Sequence, residues 1–206
     1  ATGVSTLAKL LNPKIKVIGV EHAGPSLMKT NIEAGKVTTL STVNTIADGT
    51  AVKTPGSNIF PYIQKNLDEI ITVEDDELVV AFLDMVENHK MIVENSGLLT
   101  VAALKHLNIK DKRVVSILSG GNMDVITMSS VVQQGLNLRD RIFTVSVLLP
   151  DKPGELTKVA DTIAKEQGNV IKLEHNQFVS INRSAAVELR ITLECFGTEH
   201  KRQIMK

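Results

Sequence analysis

The chain has 206 residues, with 23 basic and 23 acidic side chains and therefore a formal net charge of zero. This balance gives no basic surface for a nucleic-acid polymer or an anionic membrane, and no apolar run approaches the roughly 20 residues that span a bilayer. Aromatic residues make up only 3%, so we expect a core of Val, Ile, Leu and Ala in layered α/β packing. The lone Cys195 excludes an internal disulfide and indicates a reducing, cytoplasmic compartment.

The first part of the chain, up to about residue 137, alternates short β-rich runs with amphipathic helical segments. In chain order we predict a strand at 16–20, a helix at 25–34 that ends at Gly35, a strand at 70–73, a helix at 74–86, a helix at 96–104 capped by Ser96, and a strand at 114–118. The acidic run at 74–77 suits the positive end of a helix dipole. Strands that alternate with helices predict a parallel sheet flanked by helices.

The most informative stretch is the predicted strand at 114–118, which runs directly into Ser119-Gly120-Gly121-Asn122. Glycine lets a backbone approach a ligand closely because it has no Cβ. Ligands of open α/β sheets lie beyond the carboxyl ends of the strands. The pattern therefore indicates either a ligand-binding turn or an ordinary strand-to-helix turn without a ligand.

A different pattern begins near Arg141. In chain order we predict a strand at 142–149, a loop at 150–154, a helix at 155–167 stopped by Gly168, strands at 169–173 and 185–195, and a helix from Thr198. The order βαββα indicates a ferredoxin-like α+β unit whose closing strand is missing, joined to the first part by a polar segment at 133–140. Because both chain ends look cut, we expect a fragment of a longer protein.

Several motifs carry a resemblance to a known family. They are Thr-Ile-Ala-Asp-Gly-Thr-Ala-Val at 45–52, Val-Glu-Asn-Ser-Gly at 93–97, Leu-Ser-Gly-Gly-Asn-Met-Asp at 118–124, Pro-Asp-Lys-Pro-Gly-Glu-Leu at 150–156 and Gly-Asn-Val at 168–170. In this order and spacing, the sequence resembles the C-terminal half of threonine dehydratases (threonine ammonia-lyases) with a single ACT domain. The resemblance implies that residues 1–137 are part of the large α/β domain of a fold-type II pyridoxal-phosphate (PLP) enzyme. It also implies that residues 138–206 are an ACT regulatory domain without its last strand.

The resemblance also implies which residues face the cofactor. Ser119 occupies the position whose hydroxyl meets the pyridine nitrogen of PLP, Gly49 and Gly120 lie where loops approach the cofactor, and Glu94 matches an acidic position near the ring. The family more often has Ala-Glu-Gly-Ala-Gly where this chain has Val-Glu-Asn-Ser-Gly, so Asn95 and Ser96 are departures. The alternative for Glu94 is an ordinary carboxylate at a helix start.

The family's Schiff-base lysine and the glycine-rich loop that binds the PLP phosphate are expected upstream of Ala1. Backbone N–H groups at a helix N-terminus are the physical basis of such a phosphate site. The resemblance therefore places no catalytic residue in this chain, and we expect the chain alone to be inactive.

The loop at 150–154 resembles the position where ACT domains bind an amino acid. Gly154 can adopt a positive φ and direct backbone N–H groups toward a carboxylate at the start of the next helix. The candidate effector residues are Asp151, Gly154, Glu155 and Leu156, with His175 nearby, and an amino acid or a nucleotide is the expected effector. The alternative is an empty site in a domain that only dimerises; we expect a homo-oligomer, a dimer or a tetramer.

A metal site is not expected. Relatives similar to serine racemase hold a divalent cation at a position matching Glu21, but the companion positions here are Pro25 and Leu27, and leucine offers no oxygen ligand.

The resemblance implies deamination of L-threonine, with L-serine as a second substrate, to 2-oxobutanoate (or pyruvate) and ammonia by PLP-dependent β-elimination. The alternatives are a non-catalytic ACT-type sensor of amino acids and another fold-type II enzyme such as a serine racemase.

Overall fold

The computed structural model describes residues 1–24, 26–176 and 187–206. These residues form two compact units, Ala1–Val132 and Gln133–Lys206. Pro25 and Ala185, where the sequence predicts a helix start and a strand start, lie outside the described residues. No helix in the described part is both long enough and apolar enough to cross a membrane.

The first unit has a mixed α/β composition. In chain order it contains α1 (Thr2–Leu11), β1 (Ile18–His22), α2 (Leu27–Ala34), α3 (Phe60–Asn66), β2 (Glu69–Val73), α4 (Asp75–Asp84), α5 (Leu99–Ala102) and the start of α6 (Val125–Leu138). Strands β1 and β2 pair in parallel, with Ile18 opposite Glu69 and His22 opposite Val73. As predicted, α2 ends at Gly35 in the left-handed conformation, with φ of 66°.

The core of the first unit is built around α4. Leu78, Val79 and Phe82 of this helix are completely buried, and they pack with Val73 of β2 and Leu98 in a single apolar cluster. The helical spacing of these apolar residues explains why the sequence pattern located α4 correctly. The helix begins with a capping box: the Glu74 side chain accepts the backbone N–H of Glu77, and the Glu77 side chain accepts the backbone N–H of Glu74.

The predicted strand at 114–118 is wrong, because these residues form no strand in the described structure. Val115 is 86% exposed. The segment is attached to α5 instead, since Thr100 Oγ1 donates to the Ile117 carbonyl over 3.1 Å and Ser116 Oγ donates to the Thr100 carbonyl over 3.3 Å. A β-branched run becomes a strand only when a neighbouring strand completes its ladder of backbone hydrogen bonds, and no described strand does so here.

The polar joint predicted at 133–140 is mostly helical, because α6 continues to Leu138. Asp124 starts this helix: its Oδ1 accepts the N–H groups of Ile126 and Thr127, each over 2.9 Å. Hydrogen bonds from Thr127 and Ile126 hold the pKa of Asp124 below its ordinary value. The sequence motif therefore continues from the glycine pair into a capped helix.

The second unit contains, in chain order, β3 (Ile142–Leu149), α7 (Glu155–Lys165), β4 (Asn169–Asn176), β5 (Val187–Glu194) and α8 (Thr198–Ile204). The three strands form an antiparallel sheet in the order β3-β5-β4. The predicted alternation along β5 is confirmed, since Val187, Leu189, Ile191 and Leu193 are all buried.

The end of α7 differs from the prediction in one detail. Gln167, with φ of 60°, adopts the left-handed conformation that was expected of Gly168. A Cβ on Gly168 would lie 3.0 Å from side-chain carbons of Ile163 and Ile204, so this glycine serves close packing rather than the turn.

Glu77 joins the start of α4 to the short helical turn Ala103–His106. Its carboxylate accepts the Glu74 N–H over 2.6 Å, the Lys105 ammonium over 2.5 Å and the His106 Nε2–H over 2.7 Å. Burial raises the pKa of Glu77, but the hydrogen bonds from Lys105, Glu74 and His106 outweigh it and bring that pKa below 4.5. The ionised form therefore stabilises the folded state above pH 4.5, and this contribution is lost as the pH falls through the lower folded pKa.

Replacing Glu77 with Gln should lower the free energy of unfolding by about 1–3 kcal/mol at neutral pH, because charge-assisted hydrogen bonds to a largely buried carboxylate are lost. The variant should also lose stability less steeply than the wild type below pH 4.5. Denaturant unfolding across this pH range measures both effects, with the exposed Glu33→Gln as the control. Parallel pH profiles for the wild type and Glu77→Gln would contradict the role of this carboxylate.

Candidate functional site

Three segments of the first unit converge on the carboxylate of Glu94. The Glu94 N–H donates to the Gly120 carbonyl over 3.4 Å, and Glu94 Oε2 accepts the Asn122 N–H over 3.1 Å. The third segment is the turn Asp48–Thr50, where a Cβ built on Gly49 would lie 3.4 Å from Glu94 Oε1. The structure thus brings together Ser119, Gly49, Gly120 and Glu94, the four residues that the resemblance places at the cofactor.

Close approach at this cluster requires glycine at two points. A Cβ on Gly97 would overlap the Ser119 carbonyl oxygen, and a Cβ on Gly120 would overlap the Glu94 carboxylate. Gly120 also has φ of 83°, a backbone conformation that residues other than glycine rarely adopt. Gly121 differs, because a Cβ there would meet no atom within 4 Å.

Glu94 is not a capping carboxylate, although it directly precedes the helical turn Asn95–Leu98. It has the extended backbone of an N-cap residue, with φ of −62° and ψ of 155°, but its side chain makes no capping hydrogen bond. The carboxylate reaches the turn at 119–122 instead. Ser96 does not cap a helix either: it lies inside the helical turn, and its buried hydroxyl has no hydrogen-bond partner among the described residues.

The loop that carries Gly49 is held by residues whose role the sequence pattern did not show. Asp75 accepts the Thr45 hydroxyl over 2.6 Å and the Ile46 N–H over 3.1 Å. The side-chain amide of Asn95 donates to the Ile46 carbonyl over 3.1 Å. In the sequence, Asp75 is one of several acidic residues at a helix start. The feature that could have indicated its role is its position just after the end of β2.

Glu21 also has a structural role, because its carboxylate binds two backbone N–H groups. Its two carboxylate oxygens accept the N–H groups of Met28 and Lys29, over 3.0 and 2.8 Å. These N–H groups have no partner within α2, because they belong to its first turn. Glu21 therefore caps α2 from the end of β1, while Pro25 lies outside the described residues.

The second unit contains a cavity of about 150 Å³ at the loop between β3 and α7. Asp151, Gly154, Glu155 and Leu156, the predicted effector residues, all line it, and His175 of β4 lines it as well. Gly154 has φ of 94° at the N-cap of α7, as the sequence predicted. The Glu155 carboxylate accepts a hydrogen bond from the Lys158 ammonium over 2.7 Å. This bond directs the carboxylate toward the next turn of α7.

Comparison with known proteins identifies the family. A family model described as pyridoxal-phosphate dependent enzyme matches residues 1–120, more than half of the chain. This chain belongs to the pyridoxal-phosphate-dependent enzyme family. The cofactor expected from the resemblance is confirmed at the level of this family.

Individual members of the PLP family are similar over most of the chain. An L-threonine ammonia-lyase of Geobacter sulfurreducens is 35% identical over 98% of this chain and 51% of its own length. The solved structure of the processed form of threonine deaminase isoform 2 from Solanum lycopersicum matches 65% of this chain and 40% of its own, with a TM-score of 0.62 and 33% identity. A serine racemase from Dictyostelium discoideum matches 60% of this chain and 40% of its own, with a TM-score of 0.53 and 38% identity.

These comparisons confirm the fold-type II PLP fold. This chain spans about half the length of the Geobacter relative.

The Glu94 cluster fits one edge of PLP by the chemistry of its groups. The space where a Cβ of Gly49 or Gly120 would lie is taken by Ser96 and Glu94, so these glycines bring their turns close to the Glu94 carboxylate. Ser119 is exposed, and its hydroxyl makes no hydrogen bond within the part of the chain that the structure describes.

Gly120→Ala should destabilise the protein by about 1–3 kcal/mol, because a Cβ must enter the space of the Glu94 carboxylate and the residue must keep a positive φ. Gly121→Ala, one residue away, should change the free energy of unfolding by about 0.5 kcal/mol or less. Denaturant unfolding of both variants tests the close approach. Equal destabilisation by the two substitutions would mean that Glu94 does not lie on Gly120.

Proposed function

We propose that this chain is part of a PLP-dependent lyase that deaminates L-threonine, and L-serine as a second substrate, to a 2-oxo acid and ammonia by β-elimination. The observation that carries the proposal is the exposed Ser119 hydroxyl on a turn held by Glu94. The names of the relatives support it: the Geobacter protein is an L-threonine ammonia-lyase and the Solanum structure is a threonine deaminase. The serine racemase of Dictyostelium keeps racemisation as the alternative.

Ser119 has the central role in this proposal. When bound, PLP supplies an electron sink for negative charge at the α-carbon of the substrate. A serine hydroxyl can donate a hydrogen bond to an unprotonated ring nitrogen, whereas an ionised carboxylate accepts one from, and so stabilises, a protonated ring nitrogen. Ser119 would thereby keep the sink weak, which favours loss of the β-hydroxyl over other fates of the carbanion.

Glu94 holds the turn that carries this hydroxyl. Its carboxylate fixes the Asn122 N–H, and its backbone N–H fixes the Gly120 carbonyl. The two bonds lie on either side of Gly121, so the turn is attached at both ends. We propose that Glu94 fixes the position of Ser119 and that Gly49 forms a wall beside the cofactor.

The covalent anchor and the phosphate site are proposed to come from the part of the family fold that this chain does not span. The proposal is supported by the resemblance, which implies that both lie upstream of Ala1, and by the span of this chain, which covers 51% of the Geobacter relative. The chain alone is then expected to be inactive.

A chimera tests this proposal. The half of the Geobacter L-threonine ammonia-lyase that has no counterpart in this chain, joined to this chain, should bind PLP as a Schiff base on one lysine of the Geobacter half. It should form 2-oxobutanoate from L-threonine. Borohydride reduction followed by peptide mass mapping identifies the lysine, and this chain alone serves as the control.

Two results would contradict the proposal. One is stoichiometric labelling of a single lysine in this chain alone. The other is a folded, PLP-loaded chimera that converts L-serine to D-serine but releases no ammonia from L-threonine.

We further propose that residues 138–206 form an ACT regulatory domain, whose effector site is the cavity between β3 and α7. The proposal is supported by the βαββα order and by the convergence of Asp151, Gly154, Glu155 and Leu156 on one cavity. The cavity lies at the N-terminus of α7, where the helix dipole favours the carboxylate of an amino acid. A chain that binds such a ligand but whose chimera has no activity would favour a non-catalytic sensor.

Calorimetry with isoleucine, valine, serine and AMP tests the effector site. At least one of these ligands should bind, and Gly154→Ala should weaken its binding because alanine disfavours φ of 94°. Gly197→Ala is the matched control, since Gly197 has φ of 99° in the same unit but does not line the cavity. Absence of heat from all four ligands would contradict the proposed site.

A further inference from the structure

We infer that Asn95 is a positioning residue, which sets the loop at 45–50 against the Glu94 cluster. It does not itself touch the cofactor. The family sequence that this chain resembles more often has glycine here, and glycine has no side chain that could do this. The inference rests on the proposed function only where cofactor binding is used to test it.

The peptide groups of Ile46 are held from both sides. Its N–H donates to Asp75 Oδ2, at the start of α4, over 3.1 Å. Its carbonyl accepts the Asn95 side-chain amide, also over 3.1 Å. Because α4 forms the core of the unit and Asn95 directly follows Glu94, this pair of bonds ties the loop to the core and to the cluster at once.

A short hydrogen-bonded turn connects Ile46 to Gly49, so the position of Ile46 determines that of Gly49. Ala47 is completely buried, and its carbonyl accepts both the N–H and the hydroxyl of Thr50, over 3.0 and 2.9 Å. Gly49 lies inside this turn. A Cβ on Gly49 would be only 2.8 Å from Ser96 Oγ, so little room is left for the loop to shift toward Ser96.

Asn95 suits a test of this kind because, among the described residues, its side chain makes a single hydrogen bond, the one to Ile46. It is 4% exposed, and its Oδ1 has no hydrogen-bond partner among the described residues. Removing the side-chain amide therefore removes the bond to Ile46 and leaves a buried carbonyl without that donor, which is costly.

The test compares two asparagines with the same chemistry. Asn95→Leu removes the amide while keeping the branched shape of the side chain. The matched control is Asn66→Leu, since Asn66 is also buried and its amide donates to the Thr6 hydroxyl over 2.9 Å, away from the loop. Both variants should lose thermal stability.

Only Asn95→Leu should loosen the loop. Exchange of the Thr50 and Ala51 amide protons, measured by NMR, should become about tenfold faster or more. The ¹³C signal of the Glu94 carboxyl should also move, because the turn that carries Gly49 lies beside that carboxylate. Unchanged Thr50 and Ala51 exchange in Asn95→Leu, or equal acceleration in both variants, would overturn the inference.

A second arm uses the PLP-loaded chimera. Asn95→Leu should raise the dissociation constant of PLP more than Asn66→Leu does. Equal constants would overturn the link from Asn95 to the cofactor. Failure of the unmodified chimera to bind PLP would instead contradict the proposed function, while the amide exchange of this chain would still decide the role of Asn95.

Discussion

Two close approaches at glycines shape the candidate site. Gly97 lies against the Ser119 carbonyl, and Gly120 lies against the Glu94 carboxylate. Interiors of proteins are packed so closely that an added methyl group must displace its neighbours. The positions of Ser119 and Glu94 therefore depend on the absence of two Cβ atoms, and the chemistry proposed for the turn depends on that arrangement.

The second constraint is a set of hydrogen bonds between carboxylates and backbone N–H groups. Glu21, Asp75, Glu77, Glu94 and Asp124 each accept at least one backbone N–H in the first unit. A carboxylate that accepts a backbone N–H group fixes the segment to which it is bonded. Three of them organise a helix start, Asp75 holds the loop at 45–50, and Glu94 organises the turn that carries Ser119.

Much of the fold could be predicted from periodic patterns. The helical spacing of α4 and the alternation along β5 reflect burial on one face, which a sequence records directly. The strand at 114–118 could not be predicted correctly, because pairing depends on a neighbour outside the local sequence. The end of α7 failed for a related reason: Gly168 serves packing against Ile163 and Ile204, which local turn preferences do not reveal.

The candidate site was predictable as a set of motifs but not as a geometry. The glycine positions and Ser119 stand out because their motifs have a specific order. The direction of the Glu94 carboxylate does not, since a residue before a helical turn is usually expected to cap it. Asn95 appeared only as a departure from the family pattern, because its partner Ile46 lies far away in sequence.

The most direct test of the central proposal is the protonation state of the PLP ring nitrogen, measured by ¹⁵N NMR with labelled cofactor in the chimera. With Ser119, the signal should be that of an unprotonated, hydrogen-bonded pyridine. With Ser119→Asp, an ionised partner should shift it to that of a protonated ring. The same ¹⁵N signal in both proteins would contradict the assignment of Ser119 to the ring nitrogen.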